Sequence, residues 1–496
     1  MEYIINALLS IFSPLGFLMN LVGVVLGIVF GALPGLNGVV GVALLLPLTY
    51  NMAPHIGLIM LAGLYMGATY GGSISAILLN CPGTGEAACT AINGNPLALQ
   101  GKAKEALSYS VISSSFGALF GVIVMLLFTP VLAKFALRFG PPEQFLVCVM
   151  GLSVVGSLMG ESVAKGFFAV SFGLILALVG MDPTSVNYRL TFGQYNLQMG
   201  LDLIPISVGF FAIAEMLALY KDQETGELIT DKVSKFKVVS IIKDTIKRWK
   251  IVVKSSVIGT VIGILPGTGG AIASFIAYGE AQRSSKERHL FGKGAIDGII
   301  APESANNAAV GGSFVPLLAL GIPGSATSAI IFGALTVHGM IPGPRLFSEH
   351  TAIVYALMFG LLLSVFLMLF IGISGTRLFT KILTVNTKYI VPAVIAFSLF
   401  GAYSARNNLF DVFLAIIFGV IGLLFKRTGI PIAPAILGMI LGKMAEQNLR
   451  QSMVIAKAKA VPLITYILVR PISIILIVLI LLIIWGNLKT SSKGKE

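Results

Sequence analysis

Charged side chains are scarce in this chain, and their scarcity decides its class. Only 11% of the 496 residues are Asp, Glu, Lys or Arg, whereas 56% are hydrophobic. A soluble domain of ordinary composition carries about a quarter charged residues. Because so few charges cannot cover a water-facing surface, the composition predicts a protein whose solvent is lipid.

Cysteine and histidine are also rare. Cys81, Cys89 and Cys148 form no CxxC pair, which favours small packing residues over a redox or metal-binding framework. The four histidines show no metal-ligand spacing, so we expect no structural metal and no other cofactor. A Walker A sequence is also absent, and this excludes ATP coupling by that route in this chain.

Long apolar runs are what the sequence does contain. A bilayer is crossed by about 20 apolar residues in a helix, and the alternation typical of a membrane barrel is missing. We therefore predict an all-α polytopic membrane protein with ten to twelve crossings and a retained first helix. The runs are 7–31, 56–79, 111–133, 144–160, 163–181, 203–219, 350–373, 409–425 and 462–486.

The net charge of +13 is concentrated between and beyond the apolar runs. Basic residues cluster at 221–250, at 283–293 and in the tail, and the positive-inside rule places these segments in the cytoplasm. They form no single basic face, so nucleic-acid binding is not expected. The predicted organisation is a first transmembrane repeat 1–220, a basic cytoplasmic linker 221–250, a second transmembrane repeat 251–488 and a cytoplasmic tail 489–496.

Two motifs occur twice in the same order, which predicts an internal repeat. "GIVFGALPG" at 27–35 matches "GTVIGILPG" at 259–267, and "GGSISAILLNCPG" at 71–83 matches "GGSFVPLLALGIPG" at 311–324, with one extra residue in the later copy. The loop after the first LPG has no Lys or Arg, whereas its counterpart at 283–293 has four. Opposite charge bias in equivalent loops indicates inverted repeats, which are common in secondary transporters.

Four irregular stretches rich in Gly and Pro interrupt the apolar runs, at 33–41, 71–86, 265–274 and 302–325. Pro and Gly together break or end a helix. Broken backbone survives in a membrane only where protein or a cavity shields it. Close helix packing through small residues is the alternative, but packing explains neither the prolines nor the polar residues of these stretches.

Broken helices expose N–H groups that can hold a carboxylate without a buried cation, and Ser, Thr and Asn add neutral partners. The predicted substrate-binding residues are Gly35, Asn37, Gly38, Gly71, Gly72, Ser73, Ser75, Asn80, Gly83, Gly267, Thr268, Gly269, Gly311, Gly312, Ser313, Gly324 and Ser325. The predicted cation-coupling residues are Glu303, Asn306 and Asn307, which offer oxygen ligands or a proton site. For Glu303, a hydrogen-bonded structural role is the alternative.

These motifs closely resemble those of the TctA family, the large membrane subunit of tripartite tricarboxylate transporters. The resemblance rests on LPG followed by "LLPLTY" within 33–50, "YGGSISAILLN" with PG at 70–83, "APESANNA" with GG at 301–312 and "LGIPG" at 320–324. "PGPRLF" at 342–347 also fits, and the similarity runs from about residue 15 to beyond 440. Asn37 and Cys81 depart from the pattern, which usually has Thr at the second position.

The resemblance implies uptake of small di- or tricarboxylates such as citrate across a bacterial inner membrane, driven by Na⁺ or H⁺. It also implies two partners, a small TctB-like membrane subunit and an extracytoplasmic, TctC-like solute-binding protein. Three alternatives stay open from the residues alone: a channel, a stand-alone transporter of another small organic anion, and an intramembrane enzyme. A channel would need a charge ring or carbonyl filter, and an enzyme would need a nucleophile–base or aspartate pair.

The charge pattern predicts the orientation of the chain. Single cysteines introduced by Thr225→Cys and Ser492→Cys should resist an impermeant thiol reagent in intact cells, because both positions lie in basic segments retained in the cytoplasm. The same cysteines should react once the cells are permeabilised. Ready labelling of Thr225→Cys from outside would overturn this orientation.

Overall fold

The computed structural model describes residues 2–33, 36–158, 163–182, 187–221, 238–375 and 387–493. Within these ranges the chain is helical apart from loops and one antiparallel hairpin, β1 (Gly180–Met181) with β2 (Tyr188–Arg189). The first half contains α1 Glu2–Ile11, α2 Pro14–Ala32, α3 Gly38–Leu45, α4 Pro54–Leu79, α5 Ala88–Leu97, α6 Ala103–Ala136, α7 Pro141–Leu158, α8 Val163–Ala177, α9 Leu203–Ser207 and α10 Ala214–Lys221. The second half contains α11 Val238–Lys247, α12 Trp249–Ile264, α13 Gly269–Ser284, α14 Asp297–Leu320, α15 Ala326–Val337, α16 Pro344–Glu349, α17 Thr351–Ser374, α18 Thr387–Arg406, α19 Leu409–Thr428, α20 Ile432–Ala458, α21 Leu463–Leu468 and α22 Pro471–Lys493. Short 3₁₀ segments lie at Leu46–Asn51, Gly85–Ala87, Tyr195–Leu197 and Arg288–Leu290, and π-helical turns at Ala98–Lys102 and Val208–Ile213.

Helix length and apolarity confirm an all-α polytopic membrane protein. Five described stretches are long and apolar enough to cross a bilayer, and six shorter apolar helices accompany them. The long stretches are Pro14–Ala32, Pro54–Leu79, Gly85–Ala136, Thr351–Ser374 and Leu409–Thr428. The predicted total of ten to twelve crossings stays a prediction, because several shorter helices begin midway along a longer neighbour.

Helices α2 and α4 run side by side in the same direction at backbone contact. A Cβ added at Gly27 would collide with the carbonyl oxygen of Leu64, and one added at Gly31 would collide with that of Ala68. In return, Gly71 of α4 faces the carbonyl oxygen of Ile28. Only glycine permits this approach, so the glycine spacing specifies which helix faces meet.

The second copy repeats this packing residue for residue. Gly259 and Gly263 of α12 meet the carbonyl oxygens of Ala305 and Ala309 of α14, and Gly312 of α14 faces Thr260. Positions in α12 follow those in α2 by 232, and positions in α14 follow those in α4 by 241. The predicted internal repeat is therefore present in the fold as well as in the sequence.

One detail of the predicted alignment is wrong. Gly71 of α4 packs as Gly312 of α14 does, and these two positions differ by 241. Each of the two helices ends in a residue with left-handed backbone, Asn80 (φ 52°) in α4 and Gly321 (φ 74°) in α14, and these positions also differ by 241. The extra residue is therefore not inside the second motif. The "GGS" letters had aligned Gly71 with Gly311, which instead packs against Gly121.

The irregular stretches are shorter than their composition predicts. Helix α4 continues to Leu79 and α14 continues to Leu320, through Pro302 and Pro316, so most of 71–86 and 302–325 is helical. Proline is tolerated inside membrane helices when neighbours satisfy the freed backbone groups. The Ser274 hydroxyl donates to the Pro302 carbonyl over 3.3 Å, which is a contact between α13 and α14 and not a bond to the group that Pro302 frees, the Gly298 carbonyl.

Helices α2 and α3, like α12 and α13, form a hairpin whose tip lies halfway along a long helix. A Cβ at Gly38, where α3 begins, would lie 3.1 Å from that of Ala68, whereas Thr49 lies against Gly57 near the start of α4. In the second copy Gly270 lies beside Asn306, and Ser274 beside Pro302. Since Ala68 and Asn306 are central in α4 and α14, both hairpin tips lie at mid-depth.

Each copy contributes one long helix, α6 or α17, that packs on the central helix of the other copy. Gly117 and Gly121 of α6 pack on the carbonyl oxygens of Ser304 and Ala308 in α14. In the equivalent position α17 packs on α4, where a Cβ at Gly360 would contact the Ile59 side chain. Each central helix is thus covered by its own copy on one side and by the other copy on another.

Helices α4 and α14 cross in opposite directions at the centre of the molecule. The Asn306 side chain donates to the Thr69 carbonyl over 3.4 Å, while the rings of Phe314 and Tyr65 lie 6.1 Å apart. A contact further along α14 is therefore made by a residue earlier in α4. Equivalent helices of opposite direction are what inverted repeats require, as the loop charges predicted.

A second group of helices packs beside this core, formed by α7–α10 and α19–α22. Phe172, Phe210 and Phe425 join α8, the turn before α10, and α19 in edge contacts. Arg470 donates to Glu143 of α7 over 2.5 Å, with Ser473 donating to the same carboxylate. The boundaries predicted for the two repeats and the linker are not tested by these contacts, and residues 222–237 of the linker lie outside the described residues.

Glycine contacts make a sharp prediction about stability. Gly27→Ala and Gly259→Ala should each lower the unfolding free energy by about 1–3 kcal/mol, because the new methyl group meets backbone that cannot move aside. Gly279→Ala is the matched control, since it is helical and has no atom within 4 Å of its Cβ position. Thermal unfolding of the purified variants measures the difference, and equal midpoints for all three would contradict the packing.

Candidate functional site

Four helical segments begin at mid-depth, two from each copy. They start at Gly38, Gly85, Gly269 and Ala326, each directly after a break in the chain. The first-turn N–H groups of a helix have no intrahelical partner and carry a partial positive charge. Four such ends near one level provide hydrogen-bond donors for an anion.

Side chains cap three of these four ends. Asn37 accepts from the Val40 N–H over 3.0 Å, Thr84 from Ala87 over 3.3 Å, and Ser325 from Ser328 over 3.1 Å within a reciprocal capping box. Thr268 makes no side-chain cap, because its hydroxyl donates to the Ile262 carbonyl instead. The N-terminus of α13 therefore keeps the most free donors.

One pair of helix ends meets beside Tyr65. A Cβ at Gly38 would lie 3.8 Å from both the Thr327 hydroxyl and the Tyr65 ring, so the starts of α3 and α15 are neighbours. The Tyr65 hydroxyl lies 2.8 Å from the Ser325 hydroxyl, which joins α4 to the start of α15. This corner is lined by neutral hydroxyl groups and backbone amides.

The second pair meets beside Asn306. A Cβ added at Gly270 would collide with the Asn306 amide oxygen and would lie 3.0 Å from Cγ of Glu86. Tyr65 and Asn306 are equivalent positions of the repeat, since they differ by 241. The Asn306 bond to Thr69 joins the two corners where α4 and α14 cross.

The centre contains no fixed positive side chain from its principal helices. Helices α3, α4, α5, α14 and α15 have no lysine or arginine. A carboxylate bound here would be held by backbone N–H groups and hydroxyl groups, as the sequence predicted. The Ser325 and Asn306 side chains are 6% and 1% exposed, whereas Glu86 is half-buried.

Glu303 lies outside this central meeting point, between α14, α5 and α6. It is 1% exposed and accepts hydrogen bonds from Thr90 over 2.5 Å and from Ser114 over 2.6 Å. No lysine or arginine pairs with it among the described residues. Since an isolated buried charge is costly, a proton or a small cation is the natural counter-charge.

Asn306 and Asn307 retain unused acceptors. The Asn307 side chain donates to the Glu303 carbonyl over 3.1 Å, yet its oxygen has no partner. The Asn306 oxygen is also unpaired among the described residues, and both side chains are almost fully buried. Buried acceptors without partners are rare in folded proteins and indicate a missing donor or ion.

The remaining predicted residues divide into packing positions and turn positions. Gly71, Gly72, Gly83, Gly311, Gly312 and Gly324 lie against neighbouring backbone or side chains. Ser73 bonds Ser110, and Ser75 and Ser313 donate to carbonyls of their own helices. Asn80, Gly267 and Gly269 form turns with positive φ, and the Gly267 N–H donates to Gly324. Gly35 lies outside the described residues.

Sequence reasoning missed several residues at or near the centre. Tyr65 and Thr69 belong to the run 56–79, which reads as plain apolar helix, and Thr327 lies just beyond the stretch 302–325. Only the repeat alignment of Tyr65 with Asn306 could have marked one of them. Thr90 and Ser114 lie about 200 residues from Glu303 in the chain, so nothing local indicates their contact. Glu86 is one of the polar residues of the stretch 71–86 that packing does not explain, but it is not among the predicted site residues.

Cavities also occur away from the centre. One of about 670 Å³ opens beside β2 and is lined by Arg189, Lys443 and Glu446. Another of about 390 Å³ is lined by Arg345, Glu349 and Asn448. Both involve α20 of the outer helix group, whereas the repeated motifs converge between α4 and α14.

Comparison with known proteins assigns the family. The family described as "Tripartite tricarboxylate transporter TctA family" matches residues 17–437, which includes both hairpins and both broken segments. The chain belongs to the TctA family. It is thus a multi-pass membrane protein of a transporter family, and no enzyme activity characterises that family.

Two relatives from Agrobacterium vitis are similar to this TctA-family protein. One, named "Uncharacterized 52.8 kDa protein in TAR-I ttuC' 3'region", is 37% identical over 454 residues, covering 91% of this chain and 90% of the relative. Another, "Uncharacterized protein in TAR-II ttuC' 3'region", is 38% identical over 207 residues, covering 42% of this chain and 86% of the relative. No solved structure matches the chain.

The contact between Tyr65 and Ser325 can be tested on stability alone. Tyr65→Phe should cost about 1 kcal/mol of unfolding free energy, as expected for one hydrogen bond, and Ser325→Ala should cost more, because it also removes the helix cap bond from the Ser328 N–H. Because both remove the same bond, the double variant should cost clearly less than the sum. Ser256→Ala, which removes a buried bond within α12, should add independently to either. Full additivity of Tyr65→Phe with Ser325→Ala would show that α4 and α15 do not meet here.

Proposed function

We propose that this TctA-family protein is the permease subunit of a secondary, cation-coupled uptake system for small di- or tricarboxylates such as citrate. The observation that carries the proposal is the meeting of four helix N-termini, two from each inverted repeat, where α4 and α14 cross. Helix N-termini bind carboxylates through N–H groups and partial positive charge. Two corners related by the repeat suit a solute with more than one carboxylate.

The coupling ion in this proposal is H⁺ or Na⁺, held by Glu303 with support from Asn306 and Asn307. Glu303 has hydroxyl donors but no cationic partner among the described residues, so its charge has to be balanced by something that can leave. It reaches α5 through Thr90 and α6 through Ser114. A change in its protonation or ion binding would therefore alter contacts of two helices from the other copy.

The proposed partners and location follow from the family. Delivery of solute by an extracytoplasmic, TctC-like binding protein and assembly with a small TctB-like membrane subunit are what a tripartite transporter requires. The proposed location is the bacterial inner membrane. Reconstitution of the chain with and without these two partners would test whether all three are needed for uptake.

Glu303→Gln separates coupling from solute binding. The amide keeps the shape but removes the titratable charge, so uptake should lose its response to an imposed Na⁺ or pH gradient. Apparent solute affinity at saturating cation should change by less than about twofold, because Glu303 lies outside the corners that hold the carboxylates. The measurement is uptake of a labelled carboxylate panel into vesicles at several Na⁺ concentrations and pH values.

Ser313→Ala and Ser325→Ala should show the reverse pattern. Each should weaken solute affinity by about fivefold, the equivalent of one neutral hydrogen bond, while gradient dependence persists.

The control for Glu303→Gln is Glu105→Gln, which removes a half-buried carboxylate on α6 and so tests for the loss of an acid in general. If Glu303→Gln transports with unchanged rate and gradient dependence, the glutamate is structural and the coupling assignment fails.

A further inference from the structure

We propose that Glu86 and Asn306 form a sodium site at the second corner of the centre, beside Gly270. The proposal rests on the proposed function only for its role in coupling, because the site itself is argued from these side chains. Glu86 is half-buried and lies in the first helical turn after the break at 80–84. Among the described residues it makes no side-chain hydrogen bond or ion pair.

The Asn306 oxygen provides the second, independent observation. It is buried and unpaired, and it points at the same place as Glu86, because a Cβ at Gly270 would meet both side chains. The bond from the Asn306 amide nitrogen to Thr69 fixes the direction of the oxygen. The Asn306 oxygen and the Glu86 side chain therefore meet at Gly270, where the absence of a side chain lets the Asn306 oxygen come close.

The chemistry of these ligands favours Na⁺. One carboxylate and one amide oxygen are hard ligands carrying a single negative charge, which a monovalent cation balances. Mg²⁺ gives up its water reluctantly and requires a near-octahedral set of ligands.

The position of the site links sodium to solute. A solute carboxylate at the N-terminus of α13 would lie close to the charge of Glu86, since Gly270 belongs to the first turn of that helix. Like charges repel, whereas a cation between them binds both. Sodium would then raise solute affinity, and by linkage the solute would raise sodium affinity to the same degree.

The repeat supports a specialised role for this corner. Thr327 occupies the position equivalent to Glu86, and Tyr65 the position equivalent to Asn306. The first corner therefore has two hydroxyl groups where the second has a carboxylate and an amide oxygen. The same backbone thus presents neutral donors at one corner and cation ligands at the other.

The direct test is binding of radioactive ²²Na⁺ to the purified full-length protein, with no solute present. The unmodified protein should bind Na⁺ saturably. Glu86→Gln and Asn306→Ala should each weaken that binding by about tenfold or more, while Glu105→Gln should leave it unchanged. Gly270→Ala should also abolish binding, because the added methyl group would displace the Asn306 oxygen. Elution as a single folded species in size-exclusion chromatography qualifies each variant for comparison.

Glu86→Asp keeps the charge but shortens the side chain, so it should bind Na⁺ with intermediate affinity. This variant provides a second test in case Glu86→Gln folds poorly. Unchanged Na⁺ binding in Glu86→Gln, or none in the unmodified protein, would overturn the site. Carboxylate uptake by a protein that binds no Na⁺ would overturn the site and leave the proposed function standing. Glu86-dependent Na⁺ binding without carboxylate uptake would support the site and sink the proposed function.

Discussion

Backbone groups left without helical partners at mid-depth are the constraint on which the rest of this structure depends. Each unsatisfied group exposed to lipid costs several kcal/mol. The break after α14 is accordingly buried, as are Gly83 and Gly267 in the breaks after α4 and α12, whereas Asn80 and Pro82 are exposed. Glycine makes this possible, since Gly31 and Gly263 let the returning segments at Gly83 and Gly324 lie directly on their carbonyl oxygens. A larger residue at any of these four positions would keep the returning segment from packing against the helix.

Shielding also explains why the two copies are interlocked. Neither α4 nor α14 is enclosed by its own copy, because α17 covers one and α6 covers the other. Asn20 of α2 strengthens this exchange by donating to the Gly360 carbonyl of α17 over 2.8 Å. Each broken segment is thus protected only when both copies are folded, so a movement of one copy necessarily changes the surroundings of the other.

The copies share a geometry and differ in chemistry. Positions 62, 65 and 86 are Ala, Tyr and Glu, whereas their equivalents 303, 306 and 327 are Glu, Asn and Thr. At the two equivalent corners, Glu86 and Asn306 thus stand where Thr327 and Tyr65 stand in the other copy. A symmetric pair of helix-end corners can in this way serve an anion and a cation at adjacent places, which is the arrangement that coupled transport needs.

The sequence by itself determined the class, the family and the repeat. Low charge, long apolar runs and the twice-repeated LPG and PG motifs were enough, because hydrophobicity and Gly/Pro breaks act locally. It also predicted helix N-termini as the carboxylate ligands and placed Asn37, Gly269 and Ser325 at or next to such ends. It could not tell that Gly71 and Gly312 pack against helix backbone while Gly270 lies against the Asn306 and Glu86 side chains, since a glycine's role depends on what faces it. Only the tertiary structure decided that Thr90 and Ser114 surround Glu303, and that Glu86 meets Asn306, because these contacts join segments about 200 residues apart that fold against each other only when the two copies interlock.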